Sequence, residues 1–194
     1  MLTPDRQWVT AGYNTLLTET DEQVSHLTNG STPNLVFASV GVGSWAQAVV
    51  THYSARTPTT TTFSLPPQSS ARIMTVEPST APSFKEALHC GTITPIQTGD
   101  TIMCGMNCGT TSSNAWPIMR AGTYAAVAVG NREAHECVLE LRAEGLDAGP
   151  CGAATLAALR KLCVEGVLTE EERKGVVVVL FSTEGNREYD VPEP

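Results

Sequence analysis

The chain has 194 residues, of which 41% are hydrophobic, so it is long enough to bury one core of ordinary size. Its formal net charge of −8 argues against a nucleic-acid-binding surface. No window approaches the ~20 apolar residues of a membrane span, and the first residues lack the pattern of a secretory signal. These features predict a cytoplasmic protein without a membrane or nucleic-acid partner.

The first predicted elements are a helix over residues 3–28 and, after the turn-forming residues 29–33, a strand that begins at Leu35. The strand is a near-continuous apolar run, as expected for a strand that is covered on both faces. A second helix follows it and extends to Tyr53, with apolar residues at helical spacing.

The turn between this strand and this helix has the sequence Gly41-Val42-Gly43-Ser44. Glycine permits a tight turn, and Ser44 is placed as a natural N-cap. The first N–H groups and the positive end of the helix dipole would meet at one point, which suits a phosphate. A plain strand-to-helix connection is the alternative, since the turn lacks a P-loop lysine and has Ala46 where dinucleotide-binding motifs have their third glycine.

The rest of the chain alternates strands and helices. Residues 57–70 are rich in Thr, Ser and Pro and are predicted to be a flexible insertion in a single domain over 1–194. Residues 92–113 are expected to be irregular. The patterns predict strands at 71–78, 124–130 and 176–182, and helices at 83–89, 113–121, 131–144 (capped by Asn131) and 153–165. This order indicates an α/β fold with three layers, a mostly parallel sheet having helices on both faces.

Two further turns with glycine, at residues 101–109 and 149–152, are predicted near strand ends. In an open α/β sheet, such turns meet in one crevice. Their convergence with the Gly41–Ser44 turn would form a site for a small anionic ligand. Because every α/β domain has loops at this edge, the pattern alone does not decide between a site and ordinary connections.

The six cysteines do not form a metal-binding pattern. The chain has no CxxC pair, and Cys104 and Cys108 are more widely spaced with no second pair downstream. In the cytoplasm the cysteines are expected to be reduced. Nothing favours a Cys–His nucleophile, since the neighbours His89 and Cys90 diverge by about 100° on a helix.

Four stretches in this order resemble the fold-type II pyridoxal-phosphate enzymes, the tryptophan synthase beta-like superfamily. They are VGVGSWAQAVVTHY, RIMTVEP, GDTIMCGMNCGTTSSNAWPIMRAG and GPCGAATLAAL. The resemblance extends from Trp8 to Phe181, and is to diaminopropionate ammonia-lyase and threonine-dehydratase-like enzymes in particular. It implies the incomplete large domain of that fold and pyridoxal 5′-phosphate as the cofactor.

The resemblance also implies which residues contact the cofactor. The phosphate would lie at Gly41, Val42, Gly43 and Ser44, and Cys151 would face the pyridine nitrogen, where many relatives have Ser. A neutral thiol leaves that nitrogen less protonated than an acid would, which suits β-elimination. The alternative interpretation of Cys151 is a small buried residue in a tight turn.

The lysine to which the family attaches its cofactor has no match here. The family has it in a Ser/Asn-x-Lys motif of its N-terminal half, whereas Lys85, Lys161 and Lys174 lie in other contexts that are typical of surface lysines. The chain is therefore expected to be the C-terminal half of a two-domain enzyme, without a catalytic residue of its own and with at most non-covalent cofactor binding. An unpaired sheet edge is expected where upstream strands would lie.

Two functions follow from these observations. The first is a truncated ammonia-lyase-like protein, whose intact relatives carry out β-elimination on 2,3-diaminopropionate or a related amino acid. The second is a non-catalytic homologue that binds a phosphate-bearing ligand or pairs with a full-length enzyme. A homodimer is a further expected assembly.

Overall fold

The computed structural model describes residues 4–54 and 71–193, so the predicted insertion at 57–70 lies outside the described residues. Four parallel strands form one sheet in the order β3-β2-β1-β4. Their bounds are Leu35–Ser39 (β1), Arg72–Pro78 (β2), Ala125–Val129 (β3) and Val178–Leu180 (β4). Within this part of the chain, β3 and β4 each have a strand neighbour on one side.

Helices connect these strands. They are Pro4–Gly12 (α1), Asn14–Leu27 (α2), Ser44–Ser54 (α3), Ser83–Cys90 (α4), Trp116–Gly122 (α5), Asn131–Ala143 (α6), Pro150–Val164 (α7) and Glu170–Arg173 (α8), with a 3₁₀ turn at Cys104–Met106. Among the described helices, none combines the length and the hydropathy that a membrane span requires.

The core lies on both faces of the sheet. On one face, Leu35 and Phe37 of β1 pack with apolar residues of α6 and α7. On the other face, Val36 and Ala38 of the same strand pack with α2, α3 and α5. All five residues of β1 are buried, which explains why its sequence is a continuous apolar run rather than an alternating one. The predicted three-layer α/β fold is confirmed.

The strand order creates a switch point beside β1. The chain proceeds from β1 through α3 to β2 and then through α4 to β3, whereas α6 and α7 return it to β4 on the other side of β1. Connections on the two sides therefore diverge at the carboxyl ends of β1 and β4. In open α/β sheets this is where ligands bind.

Several predicted element bounds were wrong. The helix predicted over 3–28 is two helices that break at Tyr13, whose ring packs edge-on against Trp45 at 5.0 Å between centroids. The helix predicted at 131–144 is capped by Gly130, while Asn131 is its first residue and uses its side chain to hold another loop. Helix α7 begins at Pro150, because proline suits the first turn of a helix.

A buried carboxylate joins β2 to the helix that follows it. Glu77 is 1% exposed, and its two oxygens accept the amide N–H groups of Phe84 at 2.7 Å and Lys85 at 2.8 Å. The amino end of α4 is thereby capped. Burial nevertheless raises the pKa of Glu77 to about 7, since the loss of hydration outweighs these hydrogen bonds and the nearby Lys85.

Ionisation of Glu77 should therefore destabilise the fold. A carboxyl whose pKa is higher in the folded than in the unfolded state reduces the free energy of unfolding as the pH rises from about 4.5 to about 7. Denaturant titrations at pH 5 and pH 8 should show a loss of up to about 3 kcal/mol from this group. Glu77→Gln should remove this pH dependence, whereas Glu19→Gln on the exposed face of α2 should retain it. An equal pH dependence in wild type and Glu77→Gln would contradict the assignment.

Candidate functional site

Three loops meet at the carboxyl ends of β1 and β4. A Cβ atom on Gly41 would lie 2.7 Å from the carbonyl oxygen of Gly105 and 3.4 Å from Cys108 Sγ. A Cβ atom on Gly105 would lie 3.4 Å from Cys151 Sγ. The turn after β1, the 101–109 loop and the amino end of α7 thus contact one another in series, as the sequence predicts.

The turn after β1 depends on glycine at two positions. Gly41 must lack a side chain because the backbone of Gly105 occupies that space. Gly43 has φ +107°, a conformation that L side chains rarely adopt, and it packs against Met119 and Ala115 of the α5 region. The resulting turn, Gly41–Ser44, is called the cup below.

The cup opens directly into helix α3. The Gly43 carbonyl oxygen accepts the Gln47 N–H at 2.8 Å, so Gly43 is the cap and Ser44 is the first helical residue. The prediction that Ser44 is the N-cap was therefore wrong, and the reason is that the positive φ of Gly43 already turns the chain into the helix. The first amides of an α-helix have no carbonyl partner in the helix itself. At the cup they are available to an anion.

The irregular stretch beside the cup is held by hydrogen bonds on several sides. The Ser112 N–H donates to the carbonyl oxygen of Val42 at 2.9 Å, which joins the stretch to the cup. Asn131 Oδ1 accepts from Thr101 Oγ1 at 2.8 Å and from the Ile102 N–H at 3.2 Å, which joins it to α6. The lack of regular structure in this loop therefore does not leave it without a fixed position.

Cys151 is the buried wall of the site. It is 5% exposed in the first turn of α7, and its N–H donates to Glu184 Oε2 at 2.7 Å. Burial raises the pKa of its thiol to about 12, and the charge of Glu184 contributes in the same direction. Cys151 is therefore a neutral thiol at physiological pH, as its predicted role requires.

Three polar residues of the site were missed by sequence reasoning: Ser182, Glu184 and Arg187. Ser182 is exposed just after β4, and its Oγ occupies the space where a side chain on Gly152 would lie. Glu184 Oε1 accepts Arg187 Nε at 3.0 Å, and Arg187 Nη2 donates to the Ile102 carbonyl oxygen. A signal was available, because a polar run follows the apolar strand 176–181 directly, where α/β sheets place their sites.

The three lysines lie away from the cup. Lys85 is exposed on α4, Lys161 Nζ is 3.4 Å from Glu133 Oε1 of α6, and Lys174 is exposed and pairs with Glu171 after α8. Lys161 is ten residues along α7 from Cys151, which corresponds to about 15 Å of helix. Among the described residues, no group of His, Cys, Asp and Glu could hold a metal ion.

Comparison with known proteins gives this geometry a family. Residues 3–183 match the family model described as "Pyridoxal-phosphate dependent enzyme". The chain belongs to this family. No curated protein matches the chain.

Solved structures of similar fold include three enzymes. Maize serine racemase has a TM-score of 0.73 at 19% identity and is covered over 49% of its length by 92% of this chain. For diaminopropionate ammonia-lyase from Escherichia coli, with an aminoacrylate-PLP azomethine reaction intermediate, the values are 0.68, 25%, 45% and 92%. For the threonine deaminase from T.th. they are 0.65, 23%, 50% and 86%. The chain spans about half the length of these structures.

The residues present fit one end of the family's cofactor. The cup has two glycines, a half-buried serine and the amino end of an 11-residue helix, which suits a phosphate group. The aldehyde end of pyridoxal phosphate needs a lysine amine, and the lysines of this chain lie elsewhere. The site therefore fits phosphate binding and does not fit covalent attachment to this chain.

The contact between Gly41 and Gly105 is directly testable. Gly41→Ala should lower the free energy of unfolding by about 1–3 kcal/mol, because the new methyl group overlaps a backbone carbonyl that cannot rotate away. Gly12→Ala, where nothing lies within 4 Å of the added Cβ, is the matched control and should be neutral or stabilising. Urea titrations measure both. Equal stability of the two variants would rule out the tight packing described here.

Proposed function

We propose that this chain forms the cofactor-phosphate site of a pyridoxal-phosphate-dependent ammonia-lyase-like protein. Gly41, Val42, Gly43 and Ser44 bind the phosphate, and Cys151 lies against the pyridine ring. The observation that supports this most strongly is the contact of three loops in series beside the cup, at the switch point of the sheet.

The bound group would supply the electron sink that amino-acid chemistry at the α-carbon requires. The part of this chain is to orient it. The amides at the start of α3 fix the phosphate, the buried thiol of Cys151 offers a neutral neighbour to the ring, and the 101–109 loop forms the wall between them. A 2,3-amino-substituted acid such as 2,3-diaminopropionate is the proposed substrate class, in line with the similarity to the E. coli ammonia-lyase.

We further propose that the chain alone binds the cofactor without a covalent bond and has no lyase activity. The positions of Lys85, Lys161 and Lys174 support this, since each lies on a helix or helix end away from the cup. The alternative is a non-catalytic homologue that binds a phosphate-bearing ligand as a partner of a full-length enzyme or as a homodimer. The same lysine positions are compatible with that role, and we infer a cytoplasmic location for either.

The cofactor proposal makes a prediction about the phosphate group. Pyridoxal 5′-phosphate should bind at least tenfold more tightly than pyridoxal, because the cup recognises the phosphate, and inorganic phosphate should compete with it. Isothermal titration calorimetry measures all three. After borohydride treatment, peptide mass spectrometry should show no cofactor on lysine. Stable labelling of Lys85, Lys161 or Lys174 would disprove non-covalent binding, and equal affinity for pyridoxal would disprove the phosphate site.

The role of Cys151 has its own test. Cys151→Ala should weaken pyridoxal phosphate binding three- to tenfold, the range expected for one lost hydrogen bond, and Cys151→Ser should restore it. Ser182→Ala is the comparison, since this exposed hydroxyl is the other neutral group next to Gly152. A loss of affinity in Ser182→Ala with none in Cys151→Ala would transfer the ring contact to Ser182.

A further inference from the structure

A series of hydrogen bonds connects two loops of the site through one carboxylate. Glu184 Oε2 accepts the Cys151 N–H at 2.7 Å at the start of α7, and Glu184 Oε1 accepts Arg187 Nε at 3.0 Å. Arg187 in turn donates from Nη2 to the carbonyl oxygen of Ile102 and from Nη1 to that of Glu188 at 3.2 Å. We call Glu184 and Arg187 together the clamp.

The clamp acts on the segment that forms the wall of the site. Ile102 is three residues before Gly105, which contacts both Gly41 and Cys151. The backbone of Ile102 is held on both sides, because Asn131 Oδ1 accepts its N–H at 3.2 Å while Arg187 donates to its carbonyl oxygen. A shift of this backbone would therefore move Gly105 relative to the cup and to α7.

The charges of the clamp are placed to make it firm. The side chains of Glu184 and Arg187 are 21% and 29% exposed, so their attraction is less screened than that of a surface pair. The Glu184 carboxylate also lies at the amino end of the 15-residue helix α7, where the helix dipole favours a negative charge. A side chain on Gly149 would lie 2.6 Å from Glu184 Oε2, so the glycine leaves room for the carboxylate.

We propose that Glu184 is a positioning residue of the cofactor site: through Arg187, its carboxylate ties the amino end of α7 to the 101–109 loop and so fixes the width of the phosphate cup. This inference rests on the proposed function. It goes beyond it in assigning a role to the segment after β4, which the cup and Cys151 do not require.

The clamp also affects the thiol of Cys151. The negative charge of Glu184 and its hydrogen bond to the thiol raise the pKa of Cys151, on top of the larger effect of burial, while Arg187 lowers it. Loss of the carboxylate charge should bring the thiol closer to its ordinary pKa. Cys151 therefore reports on the clamp without any cofactor.

The central experiment compares Glu184→Gln with Asp190→Asn, which removes an exposed carboxylate from the same segment. In cofactor-free protein, hydrogen exchange should rise at amides 101–109 and 151–154 in Glu184→Gln and remain as in wild type at β2 and β3. Iodoacetamide should alkylate Cys151 at least threefold faster at pH 9. Pyridoxal phosphate should bind at least fivefold more weakly. Asp190→Asn should match wild type in all three measurements.

The outcomes separate the clamp from the proposed function. Unchanged exchange and alkylation in Glu184→Gln would overturn the clamp, and so would faster exchange spread equally over all four strands, which indicates a general loss of stability. If wild type binds no pyridoxal phosphate, the proposed function fails, while exchange and alkylation still decide on the clamp. If Glu184→Gln does not fold, Arg187→Lys, which keeps the charge but not the planar fork, should show the same local changes, and their absence would overturn the clamp.

Discussion

The contact between two stretches of backbone at Gly41 and Gly105 determines the shape of this molecule's functional edge. A single Cβ atom at residue 41 would lie 2.7 Å from a carbonyl oxygen, a distance that folded proteins do not tolerate. Because Gly105 also touches Cys151, a displacement there would reach the amino end of α7. The width of the site is therefore set by residues without side chains, and the chemistry by the residues around them.

Two acidic side chains support this edge from below, and they do so in different ways. Glu77 and Glu184 each accept N–H groups at the amino end of a helix, α4 and α7 respectively. Glu184 has Arg187 as a close counter-charge, whereas burial dominates the environment of Glu77 and raises its pKa. Glu184 thus organises the site through its charge, while Glu77 connects β2 to α4 at a cost in stability when it ionises.

The family of the chain and its own residues define what it can contribute to catalysis. The match over residues 3–183 establishes a pyridoxal-phosphate-dependent enzyme family, and the solved structures show that this chain corresponds to about half of such an enzyme. The proposed division of labour follows from the placement of groups. The cup and the thiol are suited to hold the cofactor, while the three lysines are exposed or paired on distant helix faces.

The sequence alone determined the fold class, the sites of the glycine turns and their convergence. Continuous apolar strands such as Leu35–Ser39 are a local property, and parallel topology then requires their carboxyl ends to meet at one edge. The tertiary structure decided what contacts what. Gly43 rather than Ser44 caps α3, and Asn131 holds a loop rather than capping α6, because each depends on a backbone angle or a partner about thirty residues away. The clamp was beyond sequence reasoning for the same reason: Glu184 and Cys151 are 33 residues apart, and only packing of α7 against the sheet brings them within 2.7 Å.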